Sequence, residues 1–153
     1  MKISFAFILT FLSLHVMAQS EDAQRRRNFN LTDNGVAARE FDVVSYFKGK
    51  PAKGIDKFEV THKGIDYYFV SAENMEEFKK SPQKYEPAYG GWDAFSMATD
   101  GKRVKVDPST FKIVDGKLYL FHNFNGKNHL LGWNKNEGKL KTSGDNFWLK
   151  TIR

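Results

Sequence analysis

The sequence predicts a small α+β domain. Two pairs of short segments alternate apolar and polar residues, and each pair flanks a tight turn, which is typical of β-hairpins. A helix-start signal lies between the two pairs, and aromatic residues are dense, with 14 Phe, 6 Tyr and 3 Trp in 153 residues. We expect two antiparallel β-hairpins that form a sheet, packed by a short helix and by a C-terminal helical segment.

The first 18 residues have the pattern of a secretory signal peptide. Lys2 precedes about a dozen mostly apolar residues, and small or apolar residues end at Ala18, before the expected cleavage. The apolar run is shorter than the roughly 20 residues that a membrane-spanning helix needs. We therefore predict an exported product, periplasmic or extracellular, with no transmembrane anchor in its mature form.

Residues 19–34 are predicted to be a flexible leader, because they are mostly polar and offer little to bury. The folded domain is then expected to span residues 35–153. The chain has no cysteine, which excludes disulfides and a lipid-modified cysteine. Its stability must therefore come from the packing of its core.

The charge is basic but unpatterned. The formal net charge is +6, and loss of Lys2 with the signal peptide would lower it to +5. This charge permits weak attraction to anionic surfaces. Nucleic acid is not expected as a partner, because the lysines alternate with acidic residues and no basic stripe is interleaved with aromatic residues.

The pattern of a folded domain begins near Phe41, and the first hairpin is predicted within residues 57–70. Asp42 is expected to cap a short turn that directs the following apolar residues to the core. Segments 57–61 and 65–70 then alternate as two half-buried strands around a turn. His62 is expected to lie in that turn, exposed to solvent.

A helix is predicted over residues 72–80. Ser71 has the position of an N-cap, and Glu73 lies in the first turn, where a negative charge is favourable. Pro82 ends the helix.

The second half of the chain begins with an ambiguous segment, because residues 91–98 fit either a strand or a short helix. Segments 110–114 and 117–121 flank Asp-Gly, which favours a tight hairpin turn, and their strands are expected to be central. From Asn128 the apolar spacing predicts broken helix that covers the sheet.

Four segments together resemble a YHS domain: Phe41–Phe47, Tyr67–Phe78, Ser81–Tyr85 and Tyr89–Asp93. The resemblance covers roughly residues 36–123, and the last thirty residues loosely, and it implies the same order of hairpins and helix. Short metal-binding members of that family carry cysteines at the positions of Ser45, Val70 and Asn74. A cysteine metal site is therefore not expected in this chain.

The chain is more similar to the longer, exported branch of the family. In that branch the Tyr-Gly-Gly-x segment precedes a cysteine, and Asp93 has its place here. The change replaces a soft ligand or nucleophile with a hard oxygen ligand or an acid/base group, unless the site has lapsed. Candidate ligand-binding residues are Tyr89, Gly90, Gly91, Trp92 and Asp93.

Asp93 and His122 are the candidate metal ligands. Three histidines remain after the signal peptide, and their spacing is not that of a known metal motif. His122 ends a predicted core strand and is best placed to converge with Asp93, whereas His129 is expected in a polar loop. Oxygen and nitrogen donors would favour zinc, nickel or copper(II) as the cofactor.

Three functions are compatible with the sequence. The preferred one is a non-catalytic binding module whose ligand lies near residues 89–93, with a metal ion held partly by Asp93 as one candidate. The second is an enzyme or redox accessory that uses Asp93 as an acid or base. The third is a structural domain with a lapsed site that acts through a partner surface, which an exposed aromatic patch would indicate.

Overall fold

The computed structural model describes residues 21–152, in which helices and antiparallel strands are mixed. The α+β class is therefore confirmed. The predicted signal peptide and residues 19 and 20 lie outside the described residues.

The elements follow one another in short segments. The helices are α1 (described over 21–28), α2 (Ala72–Lys80), α3 (Pro82–Tyr85), α4 (Ala94–Asp100), α5 (His129–Trp133) and α6 (Glu137–Thr151). The strands are β1 (Ile55–His62), β2 (Ile65–Phe69), β3 (Asp107–Val114), β4 (Lys117–Phe121), β5 (Asn123–Phe124) and β6 (Lys127–Asn128). Single 3-10 turns cover Ala38–Glu40, Ser45–Lys48 and Ala88–Gly91.

Both predicted hairpins form. β1 pairs with β2 and β3 pairs with β4, each antiparallel, and Asp115 and Gly116 both have positive φ as a tight turn requires. The expectation that the hairpins join one sheet is wrong for residues 21–152, in which three separate two-stranded sheets form. The hairpins instead contribute side chains to a common apolar core.

Strand β4 is the centre of the molecule. Leu118 and Leu120 lie in one hydrophobic cluster, and Tyr119 and Phe121 lie in a second cluster. Successive side chains of a strand point to opposite faces, so β4 is covered on both faces. The first cluster contains the first hairpin and α2, whereas the second contains α4, α5 and residues of α6.

The helix predicted over residues 72–80 is confirmed as α2. Ser71 caps it by accepting a hydrogen bond from the Asn74 backbone N–H at 3.3 Å. Phe78 is fully buried, and its ring lies 4.7 Å from that of Tyr67 and 5.1 Å from that of Phe69. The helix therefore packs on β2.

The ambiguous segment 91–98 is helical from Ala94, where α4 begins. The broken helix expected after Asn128 is confirmed as α5 and α6, which are separated by residues 134–136. α6 continues through Gly144, where a Cβ would lie only 2.6 Å from the Tyr89 hydroxyl oxygen. This glycine allows α6 to approach Tyr89 closely.

The expectation of a flexible leader is wrong for residues 21–34, which pack against the domain. α1 ends beside Trp92, whose indole N–H donates to the Asn28 carbonyl at 2.6 Å. The Asn30 side chain is buried and donates to the Gly91 carbonyl at 2.9 Å. Composition did not indicate this packing, because it depends on contacts with residues distant in sequence, such as the bond of the buried Asn30 side chain to the Gly91 carbonyl. None of the helices described over residues 21–152 has the length and apolar character needed to cross a bilayer.

His62 is not in a solvated turn. It ends β1, its ring lies 6.0 Å from that of Phe78, and its Nε2 is buried without a hydrogen-bond partner among the described residues. α1 lies over the adjacent turn, where the Arg25 Nε donates to the Lys63 carbonyl at 3.1 Å. This helix was not expected, so the burial of His62 was not expected either.

We predict that His62 makes folding stability depend on pH. Burial lowers the pKa of His62 below its ordinary value of 6.5, and the Glu86 carboxylate opposes this shift. The unfolded chain therefore takes up the proton first, so this contribution is present above pH 6.5 and is lost as the pH falls toward the folded-state pKa. Urea unfolding at several pH values should show a smaller loss of stability below pH 6.5 for His62→Gln than for the natural protein. Equal pH dependence in the two proteins would contradict this assignment.

Candidate functional site

The turn that carries the predicted ligand residues has a left-handed backbone. Tyr89, Gly90 and Gly91 have φ values of 55°, 60° and 80°. At Gly90 a Cβ would lie 2.8 Å from the Trp148 ring and 3.0 Å from the Phe29 ring. Gly90 therefore meets two requirements that a side chain would not, a positive φ and a close approach of the backbone to aromatic rings. The close neighbours are Phe29 and Trp148.

A cavity of about 390 Å³ lies beside this turn, between α1 and α6. Its walls combine charged residues with four aromatic ones, which are Phe29, Tyr89, Tyr119 and Trp148. The Tyr89 hydroxyl lies 3.1 Å from an Asp145 carboxylate oxygen and 3.2 Å from the Lys141 carbonyl. Burial, with Asp145 adding to it, raises the pKa of Tyr89, so this hydroxyl keeps its proton and serves as a donor.

One ion pair closes the wall of the cavity opposite α6. Arg25 pairs with Glu86, which is largely buried, and the Tyr67 hydroxyl donates to the same Glu86 oxygen at 2.7 Å. The guanidinium also lies 4.5 Å from the centre of the Phe29 ring. Arg25 and Glu86 therefore satisfy each other, and the α1 wall is anchored to the domain.

Lys117 lines the same cavity, but unlike Arg25 it does not form an ion pair with another residue of 21–152. Among residues 21–152 it takes part in none of the ion pairs, and its ammonium donates only to the Gln83 carbonyl at 3.3 Å. Burial lowers the pKa of Lys117, although the carboxylates of Glu86 and Asp145 oppose the shift. The side chain is therefore a partly dehydrated cation that lacks a close counter-ion.

Asp93 lies on the other side of the turn and is fully buried. One oxygen accepts the Ser96 backbone N–H at 2.8 Å, which caps α4, and contacts His129 Nδ1 at 2.7 Å. The second oxygen accepts the His122 backbone N–H at 2.8 Å. Three N–H groups therefore occupy the carboxylate, which fits a positioning role better than direct metal ligation.

The two imidazoles near Asp93 carry a proton on the same ring nitrogen, Nδ1. His129 donates its Nδ1 proton to Asp93, and His122 lies with Nδ1 3.1 Å from the Lys105 carbonyl. Both partners are acceptors, so Nδ1 carries the proton in each ring, and Nε2 carries the lone pair in each neutral ring. The ring centres are 4.9 Å apart. Phe95 and Phe124 flank the pair at 5.3 and 5.0 Å.

The five predicted ligand residues therefore serve two separate places. Tyr89 and Gly90 line the cavity, and Asp93 holds the imidazole pair. Gly91 and Trp92 instead contact the segment that follows α1 and the end of α1. The prediction that 89–93 marks a single ligand site is not supported by this geometry.

Asp93 and His122 are in contact, as expected, but the contact does not involve the His122 ring. His122 reaches Asp93 through its backbone N–H, and the neighbouring imidazole belongs to His129, which begins α5 instead of lying in a polar loop. Asn128 caps that helix by accepting the Leu130 backbone N–H at 3.0 Å. An Asn before an apolar run is a helix-start signal that could have indicated this. Among residues 21–152, no group of three or more His, Cys, Asp or Glu side chains could hold a metal ion.

Of the charged cavity residues, Lys117, Arg25 and Asp145 were not predicted, although one of them had a signal. Lys117 precedes Tyr119 and Phe121 at a spacing of two, so the strand pattern places all three on one face of β4. Arg25 and Asp145 had no such signal.

Ser45, Val70 and Asn74, at the positions where short YHS domains carry cysteine, all donate hydrogen bonds to the Asp42 carboxylate. The buried Asp42 carboxylate accepts the Val44 backbone N–H at 2.8 Å, which confirms the predicted capped turn. It also accepts the Val70 backbone N–H at 3.0 Å and the Asn74 amide at 2.6 Å. A hydrogen-bonded carboxylate with backbone and amide donors therefore stands where those domains have thiolates.

We predict that Asp93→Asn lowers stability by about 1–3 kcal/mol, because the amide nitrogen would face a buried N–H group and leave it without an acceptor. The matched control is Asp100→Asn at the end of α4, where the carboxylate is exposed and pairs with Lys102 on the surface. That change should cost less than about 0.5 kcal/mol. Urea unfolding measures both. Equal costs would contradict the role assigned to Asp93.

Comparison of the chain with protein-family models, with curated proteins and with solved structures gives no match. The resemblance to the YHS family therefore stays a prediction.

Proposed function

We propose that this chain is an exported, YHS-like binding module that holds a small planar organic molecule with a negatively charged group. The ligand occupies the cavity beside Tyr89 and Gly90, and the protein performs no chemistry on it. The single observation that carries the proposal is Lys117, a half-buried cation that has no close counter-ion among residues 21–152 and that lies in a cavity with four aromatic side chains.

The size and lining of the cavity support a small organic ligand. Its volume of about 390 Å³ lies within the roughly 300–1,000 Å³ typical of ligand pockets. Four aromatic side chains offer flat apolar surfaces, and such surfaces stack well on a planar ring.

The charges of the cavity support an anionic group on that ligand. Among residues 21–152, three carboxylates line the cavity: Glu86 pairs with Arg25, Glu21 pairs with Lys63, and Asp145 accepts the Tyr89 hydroxyl. Lys117 is the cation of the cavity whose hydrogen bonding is least complete. A ligand carboxylate at this position would form a charge-assisted hydrogen bond with it.

The export part of the proposal has independent support. The first 18 residues have the order of a signal peptide.

The alternatives are less well supported. Asp93 as an acid or base would have to reach a substrate, yet it is fully buried and occupied by three N–H groups. A partner surface would be indicated by an exposed aromatic patch. Among residues 21–152, the exposed large hydrophobic side chains are scattered and only one is aromatic: Ile55, Val70, Phe124, Leu131 and Leu149.

We predict that the protein binds aromatic carboxylates and that Lys117→Met weakens this binding by about 10–100-fold, the equivalent of a charge-assisted hydrogen bond. The probes are benzoate, 4-hydroxybenzoate and indole-3-acetate, titrated calorimetrically, with benzamide as the uncharged match of benzoate. Lys139→Met is the control, because Lys139 is exposed on α6 outside the cavity.

The natural protein and Lys139→Met should bind at least one acid more tightly than Lys117→Met does, and benzoate more tightly than benzamide. Failure of all three acids to bind would overturn the proposal. So would equal affinities in the two lysine variants.

A further inference from the structure

We propose that His122 and His129 form a two-imidazole site for a divalent transition-metal ion, with Asp93 as the residue that positions one ring. The site lies on the side of Asp93, away from the cavity, so it goes beyond the proposed organic ligand and does not depend on it. Its donors are the Nε2 atoms of the two rings.

The hydrogen bonds of the two rings prepare both Nε2 atoms for a metal. A histidine ligand commonly donates its other ring N–H to a carboxylate or a backbone carbonyl, which fixes the ring and raises its basicity. His129 makes such a bond to the Asp93 carboxylate at 2.7 Å. His122 makes the second type, to the Lys105 carbonyl at 3.1 Å. Neither Nε2 has a hydrogen-bond partner among residues 21–152.

The separation of the ring centres is compatible with a shared ion, and the proposal places both Nε2 atoms toward that ion. A metal about 2.0–2.1 Å from Nε2 lies about 3.2 Å from the centre of that ring. Ring centres 4.9 Å apart then subtend an angle of about 100° at the ion, between the roughly 90° and 109° of tetragonal and tetrahedral coordination. The planes are inclined by 39°, so the rings are not stacked in parallel.

The surroundings keep the pair in place and open to an ion. Asp93 is fully buried, whereas the His129 side chain is 26% exposed. Phe95 packs beside the His129 ring and Phe124 beside the His122 ring, with ring centres 5.3 and 5.0 Å apart. The described residues supply only two donors, so water or an added ligand completes the coordination.

Copper(II) is the ion expected to bind most tightly. Imidazole donors suit copper, nickel and zinc, and affinity for a nitrogen site rises to a maximum at Cu²⁺ along the first-row series. Carboxylate-preferring ions such as Mg²⁺ and Ca²⁺ should not compete, because the Asp93 carboxylate is already occupied by N–H groups.

The test titrates copper sulfate into the tag-free protein, with calorimetry for affinity and electron paramagnetic resonance for the number of bound nitrogens. The variants are His122→Gln, His129→Gln, the double variant and Asp93→Asn. His62→Gln is the control, because His62 lies at the end of β1, in the other hairpin. Circular dichroism confirms that each variant is folded.

We expect one Cu²⁺ per chain with two imidazole nitrogens, and one nitrogen in each single variant at His122 or His129. Asp93→Asn should keep both nitrogens and bind about 10–100-fold more weakly, as loss of an outer hydrogen bond to a histidine ligand does. The His62→Gln control should match the natural protein. The proposal is overturned if the double variant binds Cu²⁺ as tightly as the natural protein, or if His62→Gln has the same effect as His129→Gln.

Discussion

The buried carboxylate of Asp93 is the interaction on which the rest of the site depends. It joins three parts of the chain that are distant in sequence: the start of α4, the residue after β4 and the start of α5. A fully buried charge needs several donors to offset its loss of water, and here the donors are three N–H groups. The carboxylate therefore fixes where α4 and α5 lie against β4.

This arrangement also sets the two faces of the turn that precedes Asp93. On one face, Tyr89 and Gly90 border a cavity between α1 and α6, and on the other, Asp93 orients His129. Most polar groups around the turn are satisfied, as buried groups in folded proteins usually are. Among the groups near the turn in residues 21–152, the Lys117 ammonium and the Nε2 atoms of His122 and His129 can still form further hydrogen bonds or bind a ligand. The proposals on the organic ligand and on the metal ion rest on these groups. Groups left incompletely paired inside a well-ordered structure are often functional.

The sequence predicted what depends on neighbouring residues. Alternation and the Asp-Gly turn predicted both hairpins, and Ser71 predicted the start of α2. Packing between distant elements was predicted less well. The two hairpins do not join one sheet: among the described residues β4 pairs only with β3, and the hairpins meet through side chains of the core. α1 was missed because its contacts with the domain, such as the Arg25–Glu86 ion pair and the bond from Trp92 to the Asn28 carbonyl, join residues that are distant in sequence.

The same distinction applies to the site. The left-handed turn at Gly90 and Gly91 could be predicted, because glycine alone adopts such angles without cost. The contact between Asp93 and His129 spans 36 residues and depends on where α5 docks, so no local pattern indicated it. The two-residue period of β4 places Lys117 on the same face as Tyr119 and Phe121. Only the three-dimensional structure shows that it has no close counter-ion among residues 21–152.

The most direct test of the role of Asp93 is a long-range ¹H–¹⁵N correlation spectrum of the histidine rings, which reports the protonated nitrogen of each. The account predicts that the neutral rings of His122 and His129 both carry their proton on Nδ1 and leave Nε2 bare, and that Asp93→Asn changes the His129 pattern while His122 keeps its own. A neutral His129 ring with its proton on Nε2 in the natural protein would contradict this prediction, because Nδ1 would then hold a lone pair and could not donate to Asp93.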